Sequence, residues 1–172
     1  MRLFIAVDFD QQTKSKITQA ADRLKIMGLS GNYTKEQNYH LTLLFLGESD
    51  ARQLQAAKRA IQELKAEPFD ITFQNISNFS KNVIHLKAAP SQQLNDMHRF
   101  LYERLKNDFA LREPNFSPHV TLVRQPNLIP NAKKEDFKDI LPIVYRADNV
   151  TLMLSSRENG ALVYAPLFVR KL

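Results

Sequence analysis

The sequence predicts an α+β protein in which two antiparallel-rich sheets, with helices on the outside, flank a central cleft. Two observations support this class. Short runs with the period-two alternation of strands are separated by longer stretches with helical spacing. The order strand, helix and His-x-Thr strand also occurs twice, since His40-Leu41-Thr42-Leu43 and His119-Val120-Thr121-Leu122 each follow a helical stretch. We therefore expect a single domain over residues 1–172, built of two pseudo-symmetric lobes.

The elements of the first half are bounded by residues that begin or end helices. Asp10 follows an alternating run and is placed to cap a helix, and Gly28 follows the last apolar residue of that helix. The predicted elements are a strand at 2–9, a helix from Asp10 to Gly28, a polar segment at 33–39, a strand at 40–46 closed by Gly47, and a helix from Ser49 or Asp50 to Pro68.

The second half contains one long helical stretch, which starts at Pro90-Ser91 and carries its leucine and methionine residues on one face. Shorter alternating runs surround it and predict strands. The predicted elements are strands at 69–76 and 83–88 around a loop at 78–82, the helix, a loop at 112–118, a strand at 119–124, an excursion at 125–142 with a short helix at 134–137, and strands near 148–155 and 162–170.

Composition limits the classes of function. The chain is 44% hydrophobic and 24% charged, as globular proteins are. No run approaches the roughly 18 apolar residues that span a bilayer, and the N-terminus lacks the form of a signal peptide. We therefore expect a cytoplasmic protein without a membrane partner. The formal net charge of +6 is dispersed along the chain and favours anionic partners, RNA among them.

Several kinds of chemistry are excluded by missing residues or motifs. The chain has no cysteine, which excludes disulfides, thiol catalysis and cysteine-based metal sites. The four histidines do not occur at His-x-His or His-x-x-x-His spacing, so we expect neither a metal nor another cofactor. The Gly-x-Ser-x-Gly motif of serine hydrolases and a phosphate-binding P-loop are also missing, which argues against serine hydrolase chemistry and ATP-driven ligation.

The repeated His-x-Thr tetrapeptide is the main candidate for a functional site. Side chains two residues apart in a strand point to one face, so each histidine shares a face with its threonine. If the two strands meet, two titratable imidazoles and two hydroxyl donors surround one space, which suits acid–base chemistry on a phosphodiester. His85 and His98 have no threonine two residues on and are interpreted as structural or surface residues. Phe45 lies off the face of His40 and is assigned to the core.

The flanks of the two motifs resemble a known family. Residues 38–47 (NYHLTLLFLG) and 116–124 (FSPHVTLVR) are similar to the paired motifs of the 2H phosphoesterase superfamily, in its RNA 2′,3′-cyclic phosphodiesterase branch, long called 2′-5′ RNA ligase. The opening residues 2–7 and the closing residues 155–157 with Tyr164 are similar too. The chain departs from the family at Tyr33, where a tryptophan is usual, and at Glu36, where a proline is usual.

The resemblance implies a metal-independent hydrolase that opens the 2′,3′-cyclic phosphate of RNA ends or nucleotides to a 2′-phosphate, with 2′-5′ ligation as the reverse step. It implies that His40 is the general acid and His119 the general base. Thr42 and Thr121 are then expected to donate to the phosphate oxygens. The implied partners are RNA ends or nucleotides that carry the cyclic phosphate, and we expect a monomer.

Three further residues are candidates for contacts with the substrate. Arg124 matches the family's motif arginine and is expected to bind the phosphate, although strict alternation places it off the face of His119. It would then have to turn inward where the strand ends at Gln125. Tyr33 and Tyr39 are candidates for stacking on a nucleobase. Two alternatives stay open: a non-catalytic module that binds single-stranded RNA, and an enzyme of the same superfamily for another cyclic phosphate.

Overall fold

The computed structural model describes residues 1–112, 115–128 and 133–172. Within them the chain forms strands, α-helices and two short 3-10 helices. In chain order these are β1 (Arg2–Asp8), α1 (Gln11–Ile26), β2 (Asn32–Tyr33), a 3-10 helix (Glu36–Asn38), β3 (His40–Glu48), α2 (Ala51–Glu63), β4 (Phe69–Phe79), β5 (Val83–Ala88), α3 (Gln92–Leu105), β6 (His119–Arg124), a 3-10 helix (Lys134–Phe137), β7 (Ile143–Ala147), β8 (Asn149–Glu158) and β9 (Ala161–Lys171).

The strands form two antiparallel sheets, which confirms the predicted fold class. The first sheet has the order β3-β1-β8-β9 and the second has the order β2-β6-β5-β4-β7. Each sheet therefore combines strands from early and late parts of the chain. The first His-x-Thr strand, β3, lies at the edge of the first sheet, and the second, β6, belongs to the second sheet. The two motif strands contact each other where the sheets meet.

Helices α1, α2 and α3 pack on the two sheets. Helix α1 packs against β6 and β7 of the second sheet, whereas α2 packs against β8 and β9 and α3 against β3 of the first. Strand β1 is buried on both faces: Leu3, Ile5 and Val7 join the main core, and Phe4 and Ala6 form a smaller cluster with Met153 and Tyr164. This smaller cluster forms part of the wall of the site described below.

Helix boundaries follow from local capping, as the sequence predicts. The Asp10 carboxylate accepts a hydrogen bond from the Thr13 amide at 2.7 Å. Asp50 rather than Ser49 caps α2, in a reciprocal pair with Gln53. Ser91 caps α3. Each cap satisfies amides that have no partner inside the helix, which fixes where the helix begins.

The structure differs from the predictions where pairing between distant strands decides the conformation. The polar segment at 33–39 contains the end of β2 and a 3-10 helix, and β4 continues to Phe79. Strand β7, which pairs with β4, lies between the predicted excursion at 125–142 and the strand predicted near 148–155, and it was not predicted. Within the excursion, the short helix at 134–137 is a 3-10 helix. Residues 113–114 of the predicted loop and 129–132 of the excursion lie outside the described residues.

In the part of the chain that the structure describes, no helix combines the length and apolar character needed to cross a membrane.

Candidate active site

The two His-x-Thr pairs lie in one cavity at the junction of the sheets. The cavity has a volume of about 410 Å³ and is lined by His40 and Thr42 from β3 and by His119, Thr121 and Arg124 from β6. The structure therefore brings together the five residues that the sequence singles out for acid–base chemistry and phosphate binding. Their side chains enter the cavity from two different sheets.

Each imidazole is held through the same ring nitrogen. Nδ1 of His40 lies 2.7 Å from the Asn38 carbonyl oxygen, and Nδ1 of His119 lies 2.7 Å from the Ser117 carbonyl oxygen. A carbonyl only accepts, so each Nδ1 carries a proton and donates it. In the neutral ring Nε2 then remains as the acceptor. In His40 this nitrogen lies 3.0 Å from the Thr42 hydroxyl oxygen, which donates to it.

Asn38 orients His40 and was not singled out from the sequence. Its side chain is only 5% exposed and is fixed by β9: Nδ2 donates to the Leu162 carbonyl at 2.9 Å, and Oδ1 accepts from the Tyr164 amide at 3.3 Å. It is also the last residue of the 3-10 helix before β3. The carbonyl that accepts from His40 is therefore anchored to the opposite edge of the first sheet.

Aromatic rings surround both imidazoles. The His40 ring lies 4.8 Å from the Phe4 ring and 5.0 Å from the Tyr164 ring, measured between centroids. Burial lowers the pKa of His40 to about 4, although the Asn38 carbonyl and the Asp8 carboxylate act in the opposite direction. In the free protein at neutral pH, the His40 imidazole is therefore uncharged.

The second imidazole has a similar but less extreme environment. The His119 ring lies 4.7 Å from the Phe79 ring and 5.1 Å from the His85 ring. Burial lowers the pKa of His119, and the Arg124 guanidinium lowers it further, while the Ser117 carbonyl opposes both. The Arg124 guanidinium lowers the pKa of both histidines, and the two differ in that the Asp8 carboxylate raises the pKa of His40.

A β-bulge in β3 changes which residues face the cavity. Thr42 pairs with Ala6 and Leu44 pairs with Ile5, so Leu43 has no partner on β1. This extra residue interrupts the alternation and returns Phe45 to the side of His40 and Thr42. Phe45 is 48% exposed and lines the cavity, so its assignment to the core is wrong.

The same irregularity occurs in β6 and explains the position of Arg124. Thr121 pairs with His85 and Val123 pairs with Ile84, which leaves Leu122 without a partner on β5. Arg124 therefore returns to the face of His119, and the bulge rather than an inward turn at the strand end brings it to the cavity. Within the described residues, its guanidinium forms no ion pair with a carboxylate.

Of the two tyrosines proposed as stacking residues, one lines the cavity and the other is buried in the core. Tyr33 lines the cavity, donates its hydroxyl to the Leu29 carbonyl at 2.8 Å, and has the Lys25 ammonium 4.8 Å from its ring centre. Tyr39 is 2% exposed and belongs to the main core, so its assignment as a stacking residue is wrong. It precedes His40 by one residue and therefore points to the opposite face.

Both remaining histidines contact parts of the site. His85 is buried in β5, with its ring stacked 3.9 Å from the Phe79 ring and close to His119. Burial and the neighbouring His119 lower the pKa of His85 to about 4. His98 on α3 has its Nδ1 2.7 Å from the carbonyl of Leu43, the bulged residue of β3. Of the two interpretations offered from the sequence, structural or surface residue, the buried His85 and the hydrogen-bonded His98 fit the first.

In the described residues, no three or more histidine, aspartate or glutamate side chains are grouped as metal ligands. Metal independence of the reaction stays a prediction, to be tested with a chelator.

Comparisons with known proteins agree with this fold. The family model of the 2′-5′ RNA ligase superfamily matches residues 13–159. The chain is 33% identical over 129 residues to an RNA 2′,3′-cyclic phosphodiesterase of Archaeoglobus fulgidus, an alignment that covers 72% of each protein. It is 27% identical over 172 residues to the protein of that name from Methanocaldococcus jannaschii, with 95% of this chain and 96% of the relative covered.

A solved structure also resembles this protein over nearly its whole length. The crystal structure of a phosphoesterase superposes with a TM-score of 0.85 at 25% identity, and covers 99% of this chain and 98% of its own. The matched family model spans both His-x-Thr strands and the helices between them. The chain therefore belongs to the 2′-5′ RNA ligase superfamily.

Proposed function

We propose that this protein hydrolyses 2′,3′-cyclic phosphates, at RNA ends or on nucleotides, to 2′-phosphates. One observation carries the proposal: two imidazoles, each with Nδ1 held by a carbonyl, share a cavity with two threonine hydroxyls and an arginine that forms no ion pair within the described residues. The names of the relatives from Archaeoglobus fulgidus and Methanocaldococcus jannaschii support the same reaction.

The reaction needs one proton acceptor and one proton donor. Nε2 of His119 takes a proton from a water molecule as the water oxygen attacks phosphorus. The bond between phosphorus and the ribose O3′ breaks, and His40 gives its Nε2 proton to O3′. The phosphate remains on O2′, and the two histidines return to their starting states by exchange with solvent. A 5′-hydroxyl in place of water would instead form a 2′-5′ linkage.

The charges near each ring support the proposed order of acid and base. The Arg124 guanidinium favours the neutral form of both rings, and at His40 the Asp8 carboxylate opposes it by favouring the protonated form. Burial opposes the effect of Asp8 in the empty site and keeps the pKa of His40 low. An anionic phosphate beside His40 adds a negative charge and raises that pKa, so we expect the acid to become protonated as the substrate binds.

The remaining cavity residues bind the phosphate and the nucleoside. Thr42 and Thr121 donate their hydroxyls to non-bridging oxygens, where negative charge develops in the transition state. Arg124 supplies a guanidinium, which suits two oxygens of one phosphate. Phe45 and Tyr33 offer aromatic surfaces for the nucleobase, and Phe45 is the more exposed of the two.

The test is incubation with cytidine 2′,3′-cyclic phosphate in EDTA, with the product identified by chromatography against 2′-CMP and 3′-CMP. We expect 2′-CMP to form, because O3′ leaves. Formation of 3′-CMP would mean that O2′ leaves instead of O3′, contrary to the proposal. The absence of any reaction would favour a non-catalytic RNA-binding module. Loss of activity in EDTA with rescue by one divalent metal would contradict the two-histidine mechanism and indicate a metal-dependent one.

A cytoplasmic location and a monomeric state remain predictions.

A further inference from the structure

A second cavity of about 760 Å³ opens beside the candidate active site. We call it the side cavity; Asn82, Gln125 and Arg157 line it together with Asn32, Arg124 and Leu162. The last three residues also line the cavity that holds both His-x-Thr pairs. The two cavities are therefore neighbours with Arg124 between them, and a ligand bound at the histidines can extend directly into the side cavity.

The residues that line the side cavity suit one class of ligand. Among the residues that the structure describes, they include two guanidinium groups and three carboxamides but no carboxylate. Asn32 Nδ2 donates to Gln125 Oε1 at 2.8 Å, which leaves the Asn32 oxygen as an acceptor and the Gln125 nitrogen as a donor. Guanidinium groups bind phosphates, and carboxamides bond to the edges of unpaired bases. A single nucleotide with its phosphodiester provides both partners.

The guanidinium of Arg157 is available for an anion. One of its nitrogens, Nη1, donates to the Gly160 carbonyl at 3.0 Å, and no carboxylate pairs with it in the described part of the chain. Arg23, Arg99 and Arg146, which lie elsewhere, are each paired with an aspartate. Arg124 and Arg157 therefore concentrate unpaired positive charge along the path from the histidines into the side cavity.

A third cavity, of about 530 Å³, also adjoins His40 and offers a different path. It is lined by the guanidinium groups of Arg2, Arg124 and Arg157, but also by the Glu48 carboxylate and the aromatic rings of Phe4 and Phe45. A carboxylate repels a phosphodiester, whereas aromatic rings suit a base. This third cavity therefore fits the base of the terminal nucleotide better than a second phosphate.

We propose that the side cavity binds the nucleotide on the 5′ side of the cyclic phosphate, with Arg157 on its phosphodiester and the carboxamides of Asn82 and Gln125 on its base. The inference rests on the proposed function and narrows its substrate class to RNA ends of two or more nucleotides. An oligonucleotide makes the Arg157 contact, and a mononucleotide is too short to make it. The protein therefore hydrolyses oligonucleotides with greater kcat/KM.

The experiment compares kcat/KM for a trinucleotide that ends in a 2′,3′-cyclic phosphate with kcat/KM for cytidine 2′,3′-cyclic phosphate. We expect a ratio of about 10 or more in the unaltered protein, the gain from one charge-assisted contact. Arg157→Gln should lower this ratio at least about fivefold, since it keeps polarity but removes the charge. Because the readout is a ratio, a general loss of activity that affects both substrates cancels.

Two further variants separate the subsite from simple effects of charge or folding. Asn82→Asp changes few atoms but places a negative charge in the side cavity, and should also lower the ratio. Arg59→Gln removes the same charge from the exposed face of α2, and should leave the ratio unchanged. Thermal unfolding of each variant reports whether the fold is intact.

The outcomes distinguish this proposal from the function on which it rests. Hydrolysis of both substrates with equal kcat/KM overturns the side-cavity subsite and leaves the proposed function standing. A ratio that falls in Arg2→Gln but not in Arg157→Gln also overturns it, because the RNA then runs through the third cavity. Failure to hydrolyse either substrate overturns the proposed function, and the subsite with it.

Discussion

At the scale of single residues, the two motifs are alike in how the imidazole is held but differ in the threonine. Thr42 already hydrogen-bonds to Nε2 of its histidine. No such bond joins Thr121 to His119 among the described residues. We infer that Thr42 has two tasks, orienting His40 and binding phosphate, whereas Thr121 has only the second.

This difference leads to a prediction for the threonines. Thr121→Val should lower kcat/KM by about 10-fold, because it removes one neutral hydrogen-bond donor to the phosphate. Thr42→Val should lower it by about 10²-fold, because it also removes the hydrogen bond that orients the His40 imidazole. Serine at either position keeps the hydroxyl and should restore most activity. Steady-state kinetics with a nucleoside 2′,3′-cyclic phosphate measure this. A larger loss for Thr121→Val would contradict the assigned roles.

His85 shows why residues in one strand cannot be judged by sequence context alone. It has no threonine partner, yet the register of β5 with β6 places it directly opposite Thr121. Its ring packs against His119, and its buried Nδ1 has no hydrogen-bond partner in the described structure. Substitution of His85 therefore alters the wall behind His119, and His85 variants are unsuitable as neutral controls.

At the scale of elements, the two bulges are the features that complete the site. Each inserts one residue after a His-x-Thr pair, so Phe45 and Arg124, five residues after their histidines, face the cavity. The bulge in β3 is held from outside the sheet. His98 on α3 donates Nδ1–H to the Leu43 carbonyl and stacks on Phe116 at 4.2 Å, just before the second motif.

We predict that His98 acts on the site through this hydrogen bond. His98→Phe keeps the stacking on Phe116 but loses the donor, and should lower kcat/KM about 3- to 10-fold, since one hydrogen bond is worth about 1 kcal/mol. His98→Asn keeps a donor at the position of Nδ1 and should lose less. In a Phe45→Ala background, His98→Phe should have little further effect. Equal activity of His98→Phe and the unaltered protein would contradict the prediction.

Sequence patterns predicted local features well and tertiary pairings poorly. The caps at Asp10 and Ser91 and the strand at 119–124 depend on neighbouring residues and were predicted correctly. The bulges depend on the register of β3 with β1 and of β6 with β5, which alternation within one strand does not contain. The position of Phe45 was therefore predicted wrongly. Alternation leading into β3 correctly places Tyr39 on the face opposite His40, and its assignment as a stacking residue was inconsistent with that placement.

At the scale of the whole molecule, both sheets are built from distant parts of the chain. Strand β1 pairs with β8, and β4 pairs with β7, so neither half of the sequence completes a sheet alone. We propose that the chain is one domain of two pseudo-symmetric lobes that unfolds as a unit. Far-ultraviolet circular dichroism and tyrosine fluorescence should then report a single, coincident urea transition. Two separate transitions would indicate lobes that fold independently.

The buried histidines make stability depend on pH. The pKa values of His40 and His85 are lowered to about 4, below the ordinary value of 6.5 expected in the unfolded chain. Between these values the unfolded chain binds more protons, so the free energy of unfolding should fall as pH drops from 6.5 towards 4, by up to about 1.4 kcal/mol per pH unit for each histidine. Above pH 6.5 this contribution is fully present.

Urea unfolding at several pH values between 4.5 and 7.5 measures this dependence. His85→Phe should have a shallower slope in that window, because one of the two neutral imidazoles is gone. A free energy of unfolding that rises as the solution becomes acidic would contradict the assignment of buried, neutral histidines.

The measurement that tests the central claim most directly is a double-mutant cycle on His40 and His119. Single-turnover rates are compared for the unaltered protein, His40→Ala, His119→Ala and the double variant, with a nucleoside 2′,3′-cyclic phosphate in EDTA. Each single substitution should lower the rate about 10²- to 10⁴-fold, and the double variant should be little slower than the worse single variant, because both act on one proton-transfer step. Near-normal rates in both single variants would contradict the account.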